Sequence, residues 1–166
     1  MDTSFERQEK SKTKDEWMTP PRIIASLGEF DLDPCSPIKR NWDTAKRHYS
    51  LIEDGLKSKW DGRIWLNPPY GSQTQRWLSK LAYHGNGIAL VFARTDNKWF
   101  HEIIIPKADA ILFTKGRITF LHADGTLANN SGGSGSLFVA FGEENAKILS
   151  KSGIRGTFIN LRNHSN

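Results

Sequence analysis

Residues 63–93 read RIWLNPPYGSQTQRWLSKLAYHGNGIALVFA, in which two strand patterns flank one helix pattern. Arg63 to Asn67, with three apolar residues at its centre, is a strand candidate that Pro68 and Pro69 end, because proline donates no backbone hydrogen bond to a ladder. Ser72 to His84 carries apolar residues at helical spacing. Ile88 to Ala93 is continuously apolar, as in strands that are buried on both faces. This stretch therefore predicts a strand–helix–strand unit of an α/β sheet.

The same alternation continues on both sides of this unit. Before it, Thr19 followed by Pro20 predicts the N-cap of a helix that closes at Gly28, and Phe30 to Pro34 predicts a strand. After it, we predict a helix from Asp96 to Ile105 that Pro106 stops, strands at Ala110 to Phe113, Arg117 to Leu121 and Leu137 to Phe141, a helix near Glu143 to Leu149, and a strand at Thr157 to Leu161. We expect a single compact α/β domain with a mixed sheet.

The composition fits one packed domain. The chain has 166 residues, of which 37% are hydrophobic, which is enough for one core and too few for two ordinary domains. Residues 1–14 are polar and without hydrophobic periodicity, so we predict a flexible tail there and a domain over residues 15–166. The single cysteine, Cys35, excludes an intramolecular disulfide and a cysteine-rich zinc site. Without a membrane-length apolar run or a signal-peptide core, the sequence predicts a cytoplasmic protein without metal.

Charge and local composition point weakly toward nucleic acid. The formal net charge of +5 favours a polyanionic partner, because Lys and Arg side chains that bind phosphates release counterions. Many basic proteins bind no nucleic acid, so this signal does not decide the function. The segment from Asn129 to Ser136 is rich in Gly, Ser and Asn, and it is either an ordinary hairpin loop or a loop that orders on DNA.

Two polar groups follow predicted strands at their carboxyl ends, the edge at which open α/β sheets bind ligands. They are Asp33 and the tetrapeptide Asn67-Pro68-Pro69-Tyr70. An amino group conjugated to an aromatic ring is a poor nucleophile because its lone pair is delocalised, and acceptors that bind its two hydrogens localise that pair. The side-chain oxygen of Asn67 and the carbonyl of Pro68 are suitable acceptors, and Tyr70 offers a flat face for a base. The tetrapeptide thus predicts chemistry on a planar amino group.

Several of these residues also have a purely structural interpretation. Asp33 before a proline is typical of an Asx turn, and Asp54-Gly55 is ordinary turn chemistry. Cys35 is more typical of a small buried side chain than of a nucleophile, because no histidine accompanies it in the sequence. Trp77, at helical spacing, predicts a core residue.

Several sequence blocks occur in the order typical of one enzyme family. They are Glu16-Trp17-Met18-Thr19-Pro20, Phe30-Asp31-Leu32-Asp33-Pro34-Cys35-Ser36, Asp54-Gly55-Leu56, Trp60, Asn67-Pro68-Pro69-Tyr70-Gly71, Ala93-Arg94-Thr95-Asp96, Trp99-Phe100-His101 and Gly116-Arg117-Ile118-Thr119-Phe120. With them the chain resembles the phage-type DNA N-6-adenine-methyltransferase (Dam) family. The resemblance implies a Rossmann-like methyltransferase fold, S-adenosylmethionine as methyl donor, and the N6 amino group of adenine in double-stranded DNA as acceptor. It also implies protection of phage DNA from host restriction.

The resemblance further implies roles for individual residues. Asn67, Pro68, Pro69 and Tyr70 would hold an adenine that is flipped out of the duplex. The residues expected to contact the cofactor are Trp17, Thr19 and Pro20 at its methionine end, Asp33 and Pro34 near its amino group, Asp54 near its adenine, and Asn67 at the pocket. Apart from the resemblance, the basic residues Arg94, Lys98 and Arg117 are candidates for DNA contact, and Lys39, Arg40, Lys46 and Arg47 are candidates for a further phosphate track, although scattered Lys and Arg side chains are usually only solvated surface residues. A ribose partner is not obvious, and Asp43 is the candidate.

Other functions remain open for the same tetrapeptide. RNA adenines and protein glutamine amides present the same planar nitrogen, and a non-catalytic DNA-binding relic of the fold is a further alternative. Because no separate recognition domain is evident, we expect short or relaxed sequence specificity on DNA. Outside the pocket, Leu121 to Ser136 is the segment expected to contact DNA.

Overall fold

The computed structural model describes residues 17–122, 125–127 and 134–162. Within them the strands are β1 (Trp17–Met18), β2 (Leu32–Asp33), β3 (Arg47–His48), β4 (Ile64–Leu66), β5 (Gly87–Phe92), β6 (Ala110–Thr114), β7 (Leu121–His122), β8 (Ser136–Phe141) and β9 (Gly156–Asn160). The helices are α1 (Pro21–Ser26), α2 (Thr74–His84), a π-helix (Phe100–Ile104), α3 (Ile105–Lys107) and α4 (Glu143–Lys151).

Seven strands form one mixed sheet in the order β3-β2-β4-β5-β8-β6-β9. The first four of these, β3, β2, β4 and β5, run parallel, whereas β8 is antiparallel to both of its neighbours and β9 is antiparallel to β6. The register aligns Leu66 of β4 with Ala89 of β5, and Phe92 of β5 with Ser136 of β8. The predicted α/β class with a mixed sheet is confirmed.

Both faces of the sheet are covered by apolar side chains. One cluster joins Leu66, Ala89 and Val91 to α2 and the π-helix, and the other joins Trp65, Ile88 and Leu90 to α1 and α4. Successive residues of β4 and β5 thus point into opposite clusters, as the two-residue period of a strand requires. This explains why the run from Ile88 to Ala93 is apolar without alternation.

Two helix predictions need correction at their ends. Thr19 is not the N-cap of α1; that position is Pro20, and no side chain caps the helix. Pro106 does not stop the helix before it, because the chain widens into the π-helix and continues as α3 with Pro106 in its first turn. Proline is tolerated in the first turn of a helix, where its missing N–H is not needed.

One strand prediction is wrong over most of its length. Arg117 to Phe120 is irregular, and only Leu121–His122 forms a strand, which pairs with β1 in a separate two-stranded sheet. Ile118 and Phe120 are buried in the same cluster as α1 and α4. Alternate residues of this irregular segment are buried, and that gives the same alternation of apolar and polar residues as a strand. The sequence pattern therefore predicted a strand where none forms.

Some predicted features fall outside the described residues. The predicted tail over residues 1–14 lies outside them, and of the segment from Asn129 to Ser136 only residues 134–136 are described. None of the helices in the described part of the chain has the length and apolar character needed to cross a membrane.

Candidate active site

Asp33 and Asn67 meet at the carboxyl edge of the sheet. Asp33 is the last residue of β2, and Asn67 directly follows β4, its parallel neighbour. Both line one small cleft, whose other lining residues are Met18, Thr19, Cys35, Pro37, Thr44 and Trp65. The convergence that the strand order predicts is therefore present in the structure.

Asp33 is a buried carboxylate with two hydrogen-bond donors. Its side chain is 4% exposed, its Oδ1 accepts the backbone N–H of Cys35 at 3.1 Å, and its Oδ2 accepts the hydroxyl of Thr44. Burial raises the pKa of Asp33 to about 6, while the bonds from Thr44 and Cys35 and the charge of Arg40 oppose that rise. The bond to Cys35 is the Asx turn that the sequence suggests. An Asx turn alone does not require that Asp33 be buried or that it line the cleft.

Thr19 contributes a buried hydroxyl without a partner. The residue is 2% exposed, and its Oγ1 makes no hydrogen bond within the described part of the chain. Its carbonyl accepts the indole N–H of Trp42 at 3.1 Å. A buried hydroxyl is costly to leave unpaired, so its place in the ligand cleft favours a bond to a bound molecule. The N-cap interpretation does not predict this position, whereas the family resemblance implies a cofactor contact for Thr19.

The tetrapeptide presents two free acceptors. Thr74, at the start of α2, donates its hydroxyl to the carbonyl of Pro69 at 2.8 Å, which fixes the chain after the two prolines. Among the described residues, none donates to the side chain of Asn67 or to the carbonyl of Pro68. Both groups that the sequence selects as acceptors thus receive no hydrogen bond from the described part of the chain. Thr74 was not predicted, because its role depends on a contact that sequence spacing alone does not reveal.

Tyr70 is held at the rim by two neighbours. Its side chain is 41% exposed, its ring centroid lies 4.4 Å from that of Phe92, and the guanidinium carbon of Arg94 lies 4.8 Å from its ring centroid. Burial raises the pKa of Tyr70, and the charge of Arg94 opposes the rise, so the phenol stays neutral. Arg94 and Tyr70 thus share one corner of the site.

The loop around Asp54 packs against the end of β2. Asp54 has a φ of 54°, a left-handed conformation that confirms a turn. A Cβ built on Gly55 would lie 1.9 Å from the carbonyl oxygen of Pro34, so glycine is required at this contact. The ammonium of Lys80 on α2 binds the carbonyls of Gly55 and Leu56 at 3.2 and 2.8 Å. Asp54 itself pairs with Lys57 at 3.7 Å and does not line the cleft.

The residues predicted to contact DNA are less closely grouped. Arg94 and Lys98 are exposed after β5, and Arg117 is exposed after β6, at the edge that carries the cleft. Asp43, the ribose candidate, is bound to Arg40 at 3.0 Å. The side chain of Trp17 lies outside the described part of the structure. No group of His, Cys, Asp or Glu in the described ranges is arranged to hold a metal ion.

Comparison with known proteins gives one match. The family model described as DNA N-6-adenine-methyltransferase (Dam) matches residues 6–160, which is most of the chain. No curated protein and no solved structure shows significant similarity to this chain.

Proposed function

Since the chain belongs to the DNA N-6-adenine-methyltransferase (Dam) family, we propose that it transfers a methyl group from S-adenosylmethionine to the N6 amino group of adenine in DNA. The observation that carries this proposal is the placement of Asn67 beside the cleft that contains Asp33 and Thr19. A donor cleft and an amino-group acceptor site then share one edge of the sheet.

The cleft residues fit the methionine end of the cofactor. That end carries an ammonium and a carboxylate, and the cleft offers a carboxylate on Asp33 and an unpaired hydroxyl donor on Thr19. Asp33, ionised above pH 6, is suited to the ammonium, and Thr19 is suited to the carboxylate. Pro20 and Pro34, which follow these two residues in the sequence, are both buried. In this proposal Trp17 contacts the methionine end of the cofactor, and Asp54 lies near its adenine.

The tetrapeptide performs the acceptor chemistry in this proposal. S-adenosylmethionine, when bound, supplies an electrophilic methyl group on a positively charged sulfur. The Asn67 side-chain oxygen and the Pro68 carbonyl accept the two N6 hydrogens and so direct the nitrogen lone pair toward that methyl group. The hydrogen bond from Thr74 fixes Pro69, and Pro69 in turn fixes the positions of these two acceptors. When the N–C bond forms, the bond between the methyl group and sulfur would break and leave its electron pair on sulfur as a neutral thioether. The proton that N6 gives up would pass to solvent, because an amide is no base at neutral pH.

DNA is held outside the pocket. The adenine is flipped from the duplex and stacks on Tyr70, which recovers part of a cost of a few kcal/mol. Arg94, Lys98 and Arg117 contact phosphates at the same sheet edge. A Rossmann-like fold is supported by the parallel run of β3, β2, β4 and β5 with helices against both faces. We propose further that the sequence specificity on DNA is short or relaxed and that methylation protects phage DNA from restriction.

The test is transfer of labelled methyl from S-adenosylmethionine to unmethylated DNA, with the product base identified by mass spectrometry. Wild-type protein is expected to form N6-methyladenine, and Asn67→Ala is expected to lose at least a hundredfold in rate, the scale of removing one transition-state hydrogen bond. Asn160→Ala, in β9 at the far edge of the sheet, is the matched control and should keep the wild-type rate.

The alternatives give different results in the same assay. Label that appears in RNA or in protein glutamine, and not in DNA, would assign the tetrapeptide to another planar nitrogen. Binding of DNA without any transfer would identify a non-catalytic relic of the fold. An Asn67→Ala variant that methylates adenine at the wild-type rate would contradict the assigned acceptor role.

A further inference from the structure

Behind Asp33 lies a second layer of hydrogen bonds that the proposed chemistry leaves without a function. It comes from the segment between β2 and β3, in which Thr44 is 5% exposed and lines the cleft. The Thr44 hydroxyl donates to Asp33 Oδ2, while the Thr44 backbone N–H donates to His48 Nε2 at 3.2 Å. One residue thus joins a cleft carboxylate to an imidazole.

The two bonds at His48 fix its protonation state. The backbone N–H groups of Thr44 and Ala45 both donate to Nε2, at 3.2 and 3.4 Å, so this nitrogen is an acceptor and the ring proton is on Nδ1. The His48 side chain is 6% exposed. Burial lowers the pKa of His48, the positive charge of Arg40 lowers it further, and Asp43 opposes both. At neutral pH the ring is therefore the uncharged acceptor that this geometry requires.

Few charges act on this layer. The charged groups near it come from the same segment: Arg40 acts on both Asp33 and His48, and Asp43 lies 4.0 Å from His48 Nε2 and 3.0 Å from Arg40. The other described residues that line the cleft are Met18, Thr19, Cys35, Pro37, Trp65 and Asn67, and the thiol of Cys35 is the titratable group among them. The hydrogen bond from Thr44 opposes the effect of burial on the Asp33 pKa more strongly than the bond from Cys35 or the charge of Arg40 does.

We infer that Thr44, anchored by neutral His48, is a positioning residue that keeps Asp33 ionised and aimed into the cleft for the amino group of S-adenosylmethionine. This inference rests on the proposed function, because it assigns the cofactor's ammonium to Asp33. Without the hydroxyl, burial acts on the carboxyl with less opposition, so the protonated form persists to higher pH and binds an ammonium poorly. Thr44 acts through Asp33 and touches no reacting atom.

The first measurement follows the carboxyl of Asp33 by carbon NMR across a pH titration, in cofactor-free wild type, Thr44→Val, Thr44→Ser and Thr157→Val. Thr44→Val keeps the shape of threonine without the donor, and it should raise the midpoint by about one pH unit. Thr44→Ser restores the hydroxyl and should return the midpoint to its wild-type position. Thr157→Val, exposed in β9, is the control and should change nothing.

The second measurement is the dissociation constant of S-adenosylmethionine at several pH values. With a midpoint raised by about one unit from about 6, Thr44→Val should weaken binding about fivefold at pH 6, about twofold at pH 7 and hardly at pH 8. A merely structural role would weaken binding equally at all three. His48→Phe should reproduce the Thr44→Val profile, whereas His48→Gln, which keeps an acceptor, should bind as wild type at pH 7.

The outcomes separate this inference from the proposed function. If wild type binds no S-adenosylmethionine, the proposed function fails, and the carboxyl titration alone still tests the effect of Thr44 on Asp33. An Asp33 midpoint that is the same in Thr44→Val and wild type would overturn the inference, as would a loss of affinity that does not depend on pH. A raised midpoint with restoration in Thr44→Ser supports it.

Discussion

At the scale of single residues, ionised Asp33 lowers the free energy of unfolding because its carboxylate is buried in the cleft. Its side chain is 4% exposed, and its pKa rises from a reference of 3.8 to about 6. The folded protein therefore binds a proton more tightly than the unfolded chain does at this position, and ionisation above pH 6 works against folding. Residues that destabilise a cofactor-free protein in this way are characteristic of ligand sites.

Replacing Asp33 by Asn is expected to stabilise the cofactor-free protein at pH 7. The raised pKa means that this destabilisation is absent below about pH 4, grows as the pH rises to about 6, and is complete above it. A shift of about two units corresponds to about 3 kcal/mol, which is the upper limit of the gain at pH 7, and at pH 4 little gain should remain. Urea unfolding at both pH values measures the difference.

The control for Asp33→Asn is Asp61→Asn, because Asp61 is exposed and its substitution should leave the free energy of unfolding unchanged at both pH values. Asp33→Asn should also lose affinity for S-adenosylmethionine, since the amide carries no charge for the ammonium. A variant that is less stable than wild type at pH 7 would contradict the assigned cost of ionisation.

At the scale of elements, the loop that follows β3 is locked to the end of β2. Gly55 lies against the Pro34 carbonyl, and Lys80 on α2 binds carbonyls of the same loop. The Lys80 ammonium also lies 4.9 Å from the ring centroid of Trp60, whose indole N–H donates to the Gly55 carbonyl at 2.8 Å. Helix α2 thereby fixes the position of the loop that contains Gly55.

Gly55→Ala should displace this loop. A Cβ there would lie 1.9 Å from the Pro34 oxygen and 2.9 Å from the Trp77 ring, and the backbone oxygen cannot rotate away. We expect a loss of about 1–3 kcal/mol in the free energy of unfolding. Gly135→Ala is the control, because nothing lies within 4 Å of its added Cβ. Urea unfolding decides, and equal stability of the two variants would show that the loop yields without cost.

The elements that the sequence predicted are those whose burial leaves a periodic pattern. Strands β4 and β5 and helix α2 were predicted within a few residues, because their apolar residues enter the two clusters at strand or helix spacing. Strands β1 and β3 have two residues each, too few to show a period, whereas the equally short β2 was predicted because Pro34 marks its end. Asn67 and Pro68 could be selected as candidate acceptors from local chemistry alone, and their acceptor role stays a prediction. The roles of Thr44, Thr74 and His48 were not, because each depends on a contact between separate segments.

At the scale of the whole molecule, positively charged side chains lie at both edges of the sheet. The net charge is +5, and Arg94 and Lys98 follow β5 at the edge that carries the cleft, while Lys107 precedes β6 at the opposite edge. Phosphate contacts release counterions, so only cations at the binding edge should affect the salt dependence of DNA binding.

Arg94→Ala should therefore reduce the slope of log affinity for DNA against log salt by about 1, whereas Lys107→Ala should leave the slope unchanged. Fluorescence anisotropy with a labelled duplex at several salt concentrations gives both slopes. Loss of Arg94 also removes the cation beside Tyr70, so affinity measured at one salt concentration does not separate the two effects. Equal slopes for Arg94→Ala and wild type would exclude a phosphate contact.

The position of β8 has a consequence for how the chain is made. This strand lies between β5 and β6, although both of them precede it by more than twenty residues in the sequence. During synthesis on the ribosome, β5 and β6 each have an unpaired hydrogen-bonding edge until residues 136–141 have been synthesised and can pair with both strands. Unpaired strand edges invite pairing with other chains. Products that terminate before residue 136 are accordingly expected to aggregate, so a soluble fragment of this protein must extend through β8.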